Sequence, residues 1–328
     1  MTGIRKYIIL LLVGSVAFAA LFFYLGYNSF HEVGPKKADA PYNLSKGQGV
    51  IRTAWELEQQ GYITSQNIFK VGVKLSGYER KLQAGEFSIP AESSMFDIMM
   101  ILSSGRVIQH RLTIVEGWTS WKIAEYLNNI ENMTNVITAL PREGSILPET
   151  YLYTKATDRH DVIRRMQVRQ LDLLDVIWGQ RDKDLPFLSV DDALILASIV
   201  AKGTAVEHER AHIAGVFINR LRKGMRLQTD PTVIYGLDRK GFLDRPIYKS
   251  DLKSNNPYNT YRIKGLPPTA IAHPGRASIE AVLHPLETKD LYFVADGTGG
   301  HAFASSLRQH LKNVKKWRKI EKAKKAKH

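Results

Sequence analysis

His208-Glu209-Arg210-Ala211-His212 is written like a metal site. On a helix, the H-E-x-x-H spacing sets two imidazoles one turn apart, as zinc peptidases require. The register continues through Gly215 into the longer form of the motif, but the position of the third ligand holds Ile218. No glutamate stands between Glu209 and Glu280 to complete the other common ligand set. Catalytic zinc ordinarily takes three protein ligands. The ordinary reading is therefore a helix surface with two histidines around a Glu-Arg pair, and neither a metal nor another cofactor is expected. A zinc peptidase through His208, Glu209 and His212 is the less favoured alternative.

A different chemistry is written into two turn-rich stretches, Gln228-Thr229-Asp230-Pro231-Thr232 and Asn255-Asn256-Pro257-Tyr258-Asn259-Thr260-Tyr261. Asn, Thr and Gln offer directional partners for hydroxyl groups. Tyrosine rings offer flat faces with a polar edge. Loops of this composition suit a saccharide.

Longer runs carry a family resemblance. Phe217-Ile218-Asn219-Arg220-Leu221 followed by Gly224 through Gly236 (Gly-Met-Arg-Leu-Gln-Thr-Asp-Pro-Thr-Val-Ile-Tyr-Gly) resembles the endolytic murein transglycosylases, the YceG-like family. So do Tyr258-Asn259-Thr260-Tyr261, Gly265-Leu266-Pro267-Pro268, Ile271-Ala272, Pro274-Gly275, His284-Pro285 and Tyr292 through Gly297. Upstream, Glu116-Gly117 and Pro148-Glu149-Thr150-Tyr151 match in position and type, with Glu149 where the family usually has Asp. The resemblance covers nearly the whole chain. It implies an α+β protein with an N-terminal transmembrane helix, a small LysM-like α+β domain and a YceG-like α+β catalytic-type domain. It also implies cleavage of peptidoglycan strands between N-acetylmuramic acid and N-acetylglucosamine. In that reaction the muramic 6-hydroxyl attacks its own anomeric carbon and leaves a 1,6-anhydro end. One carboxyl group can act first as acid and then as base, unlike the two-carboxylate hydrolase scheme.

The chain departs from that pattern where the chemistry sits. The family's catalytic helix reads Ala-Ser-Ile-Val/Ile-Glu-Lys-Glu-Thr/Ala. Here the segment reads Ala197-Ser198-Ile199-Val200-Ala201-Lys202-Gly203-Thr204. Gly203 stands at the position of the catalytic glutamate and Ala201 at that of its neighbour, so no catalytic role is carried over. Asn219, Gln228, Thr229, Asp230, Tyr235, Asn259, Thr260 and Tyr261 remain as residues expected to hold glycan. Glu207 is a weak substitute acid: in a continuous helix it would share the face of Gly203 but lie about 6 Å further along the axis, too far for proton transfer without rearrangement. Glu209 is expected to have a structural or supporting role.

Helices must position these residues. Ser189 with Asp191 and Asp192 reads as a helix start, followed by the apolar run Ala193 to Val200, with Gly203 as an interruption. A second helix fits Val206 to Lys223, with Ile213, Val216, Phe217 and Leu221 on one face and Gly224 ending it. Tyr292-Phe293-Val294 reads as a buried strand. Earlier in the chain, polar starts lead three times into short amphipathic helices, Ile51–Gln60, Met95–Leu102 and Trp121–Leu127. Thr119 or Ser120 can cap the last of these. Strand-like pieces lie at 85–89 and 111–115.

At the N-terminus, Arg5 and Lys6 precede an apolar run from Tyr7 to about Tyr27, long enough to span a bilayer. Charge before the run favours an N-terminus inside and a body outside. Ala17-Phe18-Ala19 fits a signal cleavage site, but the run continues through Tyr24, so a retained anchor is expected. The location read from this is the inner membrane, single-pass, with the body in the periplasm. The segments read as a cytoplasmic stub and anchor (1–27), a linker (28–42), a LysM-like region (43–139), a transglycosylase-type domain (140–311) and a basic, solvated tail (312–328). That tail contributes much of the net charge of +14. Attraction to anionic lipid or wall polymer is its alternative role. The expected partners are glycan strands, the inner membrane and possible cell-wall synthesis proteins. No basic reading helix or stacking platform points to nucleic acid. The chain has no cysteine, which excludes disulfides and thiolate metal sites.

Overall fold

A computed structural model describes residues 2–325. The chain divides into two compact units. One runs to His110 and takes in Leu152–Lys155; the other comprises Arg111–Tyr151 and everything from Ala156 on.

In the first unit, α1 (Thr2–His31) is long and apolar enough to cross a membrane. It does not give way to a loose linker. Phe30 is buried in the core of the unit, the Gly34 amide donates to the Glu92 carbonyl, and the Glu92 amide donates to the Lys36 carbonyl. These ties explain why the expected linker 28–42 is instead folded onto the unit. β1 (Ala40–Leu44) already begins within it, and the Tyr62 hydroxyl donates to the Pro41 carbonyl at 2.8 Å.

Next come α2 (Val50–Gln59), α3 (Gln66–Leu75), β2 (Gly85–Ile89) and α4 (Met95–Ser103). β1 and β2 pair antiparallel, with Tyr42 opposite Phe87. Period-two alternation turns Tyr42, Leu44, Phe87 and Ile89 inward against Leu57, Phe69, Val73 and Met99. α4 starts on a capping box, Ser94 with Asp97.

β3 (His110–Thr113) pairs with β5 (Thr150–Tyr153). Between them lie α5 (Ser120–Asn128), capped by the Thr119 hydroxyl, and β4 (Met133–Thr134). β6 (Thr157–Asp158) pairs parallel with β4 and leads into α6 (Arg159–Trp178). The core of the second unit is α7 (Val190–Gly203), α8 (Arg210–Arg222) and α10 (Arg276–Leu283), with α9 (Asp230–Leu237) between α8 and α10 in the chain. Leu196, Ile199, Ile213, Phe217, Ile279 and Val282 share one apolar cluster. The helix start expected at Ser189 is present, and it takes the form of a capping box with Asp192.

Gly203 proves to be the last residue of α7 rather than an interior break. Thr204 and Val206 are extended, and a short 3-10 turn at Glu207–Glu209 precedes α8. The helix expected from Val206 therefore starts later.

The chain ends with β7 (Tyr292–Ala295), β8 (His301–Ala304) and α11 (Leu307–Lys325). β7 is half-buried rather than buried. As far as Lys325 the basic tail is helix, because Asn313, Val314, Trp317 and Ile320 fall on one sheltered face while Lys312, Lys315, Lys316, Arg318 and Lys319 point to solvent.

Candidate functional site

Ala201 and Gly203 flank Lys202 in the last turn of α7, and all three are half-buried. The Glu116-Gly117 turn passes close by. A Cβ on Gly117 would stand 3.3 Å from the Ala201 carbonyl oxygen, and Gly117 sits at φ 81°, a conformation natural only to glycine. Glu116 is held in place by the Arg210 guanidinium at 2.9 Å and the Gly275 amide at 2.8 Å. A Cβ on Gly203 would meet only Ile213 Cγ2, at 3.9 Å, an ordinary contact. The position has room for a side chain and carries none.

Glu143 is the carboxyl group whose charge is felt by Lys202. Its side chain is 9% exposed. The Ser120 amide donates to both of its oxygens, at 3.0 and 3.1 Å, and the Tyr235 hydroxyl donates to Oε1 at 3.4 Å. Burial pushes the carboxyl up to about 7, against the opposing pull of Ser120, Tyr235 and Lys202. Burial also lowers the Lys202 ammonium, with Glu143 opposing. Tyr235 is pushed up to about 12, first by burial and then by the Glu143 charge.

Beside Glu143 lies His273, fully buried. Its Nδ1 accepts from the Ile146 amide at 3.1 Å, which places the ring proton on Nε2. That nitrogen faces Ser120 Oγ at 2.9 Å and Glu143 Oε2 at 3.4 Å. Burial holds His273 down to about 3, so the ring is neutral and its approach to Glu143 is not an ion pair. On the other side of Glu143, Tyr235 meets Tyr258 edge-on at 5.2 Å between ring centroids. The Arg239 guanidinium lies over both rings, at 4.8 and 4.1 Å. A carboxyl that titrates near neutrality beside a tyrosine–arginine surface can hold and release a proton at physiological pH.

Glu143 and His273 were not singled out from sequence. Ser120, Tyr235 and His273 all meet Glu143 through the fold, and in the chain an Arg-Glu-Gly turn gives no sign of burial. The match at Pro148-Glu149-Thr150-Tyr151, a few residues on, was the nearest available signal.

The expected glycan residues fall into three groups. Thr229, Asp230, Thr260 and Tyr261 form one network. The Thr229 amide donates to Thr260 Oγ1 at 3.1 Å, Thr260 and Thr232 hydroxyls meet at 2.8 Å, and the Tyr261 hydroxyl donates to Asp230 at 2.7 Å. Gln228 belongs to the same turn, exposed and in left-handed backbone at φ 52°, with its side-chain oxygen accepting from Arg220 at 3.3 Å. Tyr235 belongs with Glu143.

Asn219 is separate in its bonding. Its amide donates to the carbonyls of Thr288 and Asp290 at 2.8 and 3.2 Å. Asn259 and Thr260 are wholly enclosed. Asn259 donates to the carbonyls of Asp251, Leu252 and Ser254 and accepts from the Tyr261 amide. The polar atoms of Asn259 and Thr260 are thus committed inside the fold, where they support the loop. Gln228, Asp230 and Tyr261 are the members of the set with exposed or half-exposed side chains in the turn.

Glu207 does not extend the face of α7, because extended residues separate the two helices; its side chain is exposed on the 3-10 turn. His208 is also exposed there. Glu209 accepts from the His301 amide at 2.8 Å and faces His301 Nδ1 at 2.7 Å. Burial works to raise its carboxyl, but the His301 contacts outweigh this and hold it below its ordinary value. His212 pairs with Asp290 at 2.9 Å and stacks on Phe303. The H-E-x-x-H residues are thus split between a 3-10 turn and a helix. Among the described residues, no group of three or more His, Cys, Asp or Glu is placed to hold a metal ion.

The model of the YceG-like family matches residues 42–316. The chain is similar to the endolytic murein transglycosylase of Bacillus subtilis (strain 168), 30% identical over 313 residues that cover 86% of this chain and 85% of the relative. It is 26% identical to the endolytic murein transglycosylase of Streptococcus pneumoniae (strain R6), covering 83% of this chain but 57% of that longer protein. Among solved structures, a YceG-like protein from Listeria monocytogenes superposes with a TM-score of 0.51 at 27% identity, covering 84% of this chain and 98% of the other. The match to the family covers well over half of the chain, and the chain belongs to the YceG-like family.

Proposed function

We propose that the chain is a peptidoglycan-binding member of this family whose lytic transglycosylase chemistry is lost or severely impaired. The observation that carries this reading is the end of α7, where Ala201 and Gly203 offer no carboxyl group. On this reading α1 is a retained inner-membrane anchor, with the N-terminus cytoplasmic and the body periplasmic. The α/β unit that follows serves as the LysM-like module, and wall-synthesis proteins are possible partners. The Gln228–Thr232 turn, Tyr235 and the 259–261 loop bind or support glycan. The test is digestion of purified sacculi by the full chain, with the products analysed for 1,6-anhydro ends. Little or no anhydro product, together with retained sedimentation on sacculi, supports the reading. Strong product formation overturns it.

A second reading, an active enzyme with a substitute acid, is favoured by one feature: Glu143 is buried and titrates near neutrality beside Tyr235. It is a better candidate than Glu207, which is exposed on the 3-10 turn. Anhydro product abolished by Glu143→Gln and unaffected by Glu207→Gln would establish it.

A further inference from the structure

α1 and the unit that follows it form an unbroken body, and the join carries an apolar surface that the fold leaves uncovered. Phe30, near the end of α1, packs within 6.5 Å of Phe69 and 6.2 Å of Phe96 between ring centroids. Gly72 permits this closure, since a Cβ there would fall 2.4 Å from the Phe30 ring. Along the seam runs a groove of about 660 Å³, walled by Phe22, Phe23 and Tyr27 of α1 and by Val71, Leu75 and Phe96.

The α3 wall is unusual for a water-exposed helix. Its Phe69 and Val73 face is buried, as an amphipathic helix requires. A second apolar stripe, Val71 and Leu75 one turn apart, is left 57% and 69% exposed. Lys70 and Lys74 sit next to that stripe in the chain.

Position along α1 identifies the occupant. A hydrocarbon layer of about 30 Å takes roughly 20 residues at 1.5 Å each. Counted from Lys6, the layer ends near Gly26, so the α1 wall of the groove straddles its outer edge. Tyr24 and Tyr27 stand where aromatic side chains favour the interface. The groove is thus continuous with the surface that lipid already covers along the span.

We propose that α3 lies in the membrane interface, with Val71 and Leu75 among the acyl chains of the leaflet α1 leaves and Lys70 and Lys74 at the phosphate level. An amphipathic segment placed in this way holds by apolar burial together with attraction of lysines to anionic headgroups. The proposal rests on the reading of α1 as a retained anchor.

The absence of cysteine makes the test direct. Val16→Cys, Lys46→Cys, Val71→Cys and Leu75→Cys are each labelled with an environment-sensitive fluorophore. The full chain is then reconstituted in vesicles of phosphatidylethanolamine and phosphatidylglycerol. Spin-labelled lipids serve as membrane quenchers and iodide as the aqueous one. The expected result is quenching at 71 and 75 by lipid labelled near the headgroup, with a blue shift and little loss to iodide. Position 16 should respond to deep-labelled lipid and position 46 to iodide alone. Iodide quenching at 71 and 75 with lipid quenching at 16 overturns the interface contact and leaves the anchor standing. Iodide quenching at 16 overturns the anchor and the proposal with it. Protection of 71 and 75 from both quenchers also overturns it, because protein then covers the groove.

Discussion

Glu143 meets His273 as a neutral imidazole, Oε2 to Nε2 at 3.4 Å. The Ile146 amide occupies the far nitrogen of the ring, so His273 can present only its proton to this side. A neutral imidazole gives a buried carboxylate less relief than an imidazolium would, and this leaves burial as the dominant influence on Glu143.

That relationship fixes a sign for pH dependence. The folded carboxyl titrates at about 7, above its ordinary value of 4.5. Between those values the unfolded chain has released its proton and the folded chain has kept it. The contribution to stability is therefore complete below the lower value and is lost as pH rises through the upper one, with a size on the order of a few kcal/mol. Glu143→Gln should remove the dependence. Chemical unfolding at several pH values between 4 and 8 should show the unmodified chain losing stability relative to the variant as pH rises. A constant difference across that range would mean that Glu143 titrates normally.

Asn259→Ala should destabilise the second unit by roughly 2 to 3 kcal/mol, because it strands buried carbonyls in the 251–254 turn. Asp230→Ala, on the exposed side of the same network, should change stability by about 0.5 kcal/mol or less while weakening glycan binding. Melting curves and sacculus sedimentation separate the two effects. Equal destabilisation by both changes would erase the distinction between support and contact.

The histidine motif makes its own prediction. His212→Ala loses a carboxylate partner and a ring stack on Phe303 and should cost about 1 to 2 kcal/mol. His208→Ala, at an exposed position, should stay within about 0.5 kcal/mol. Melting should not respond to a chelator, and the purified protein should hold well under stoichiometric zinc. Equal losses for both variants together with chelator sensitivity would restore the metal reading.

Much of this was legible in the chain because it is local. Thr119 and Ser189 marked helix starts that the structure contains, and a polar start marked the helix at Met95. The strand-like piece at 85–89 is β2. The sequence reading passed over β1, α3, α6 and α10, and it misread two further helices. α9 begins in what read as a turn, Asp230-Pro231, because proline in the first turn of a helix also fits a loop. α11 hid among lysines because its sheltered face is narrow. In the site, residue types suggested sugar chemistry, but enclosure of Asn259 and Thr260 and the burial of Glu143 are properties of packing alone.

The last prediction concerns Gly203. Its Cβ would meet only Ile213 Cγ2, at 3.9 Å, so Gly203→Glu should fold without rearrangement. As the final residue of α7, the glycine costs the helix less than an interior one would, and the gain from replacing it is about 1 kcal/mol at most. A carboxylate at a helix C-terminus gives back roughly 0.3 to 1 kcal/mol through the helix dipole. Stability should therefore change little, while the same dipole favours the protonated form that an acid catalyst needs. A positioned acid–base group is worth on the order of a hundred- to ten-thousand-fold in rate. Gly203→Glu, alone or with Ala201→Glu, should raise anhydro-product formation from sacculi into that range. Glycan sedimentation by the unmodified chain checks that the loops are competent. If that chain binds glycan and both variants fold, yet neither releases anhydro ends, the missing carboxylate is not what separates it from an active transglycosylase.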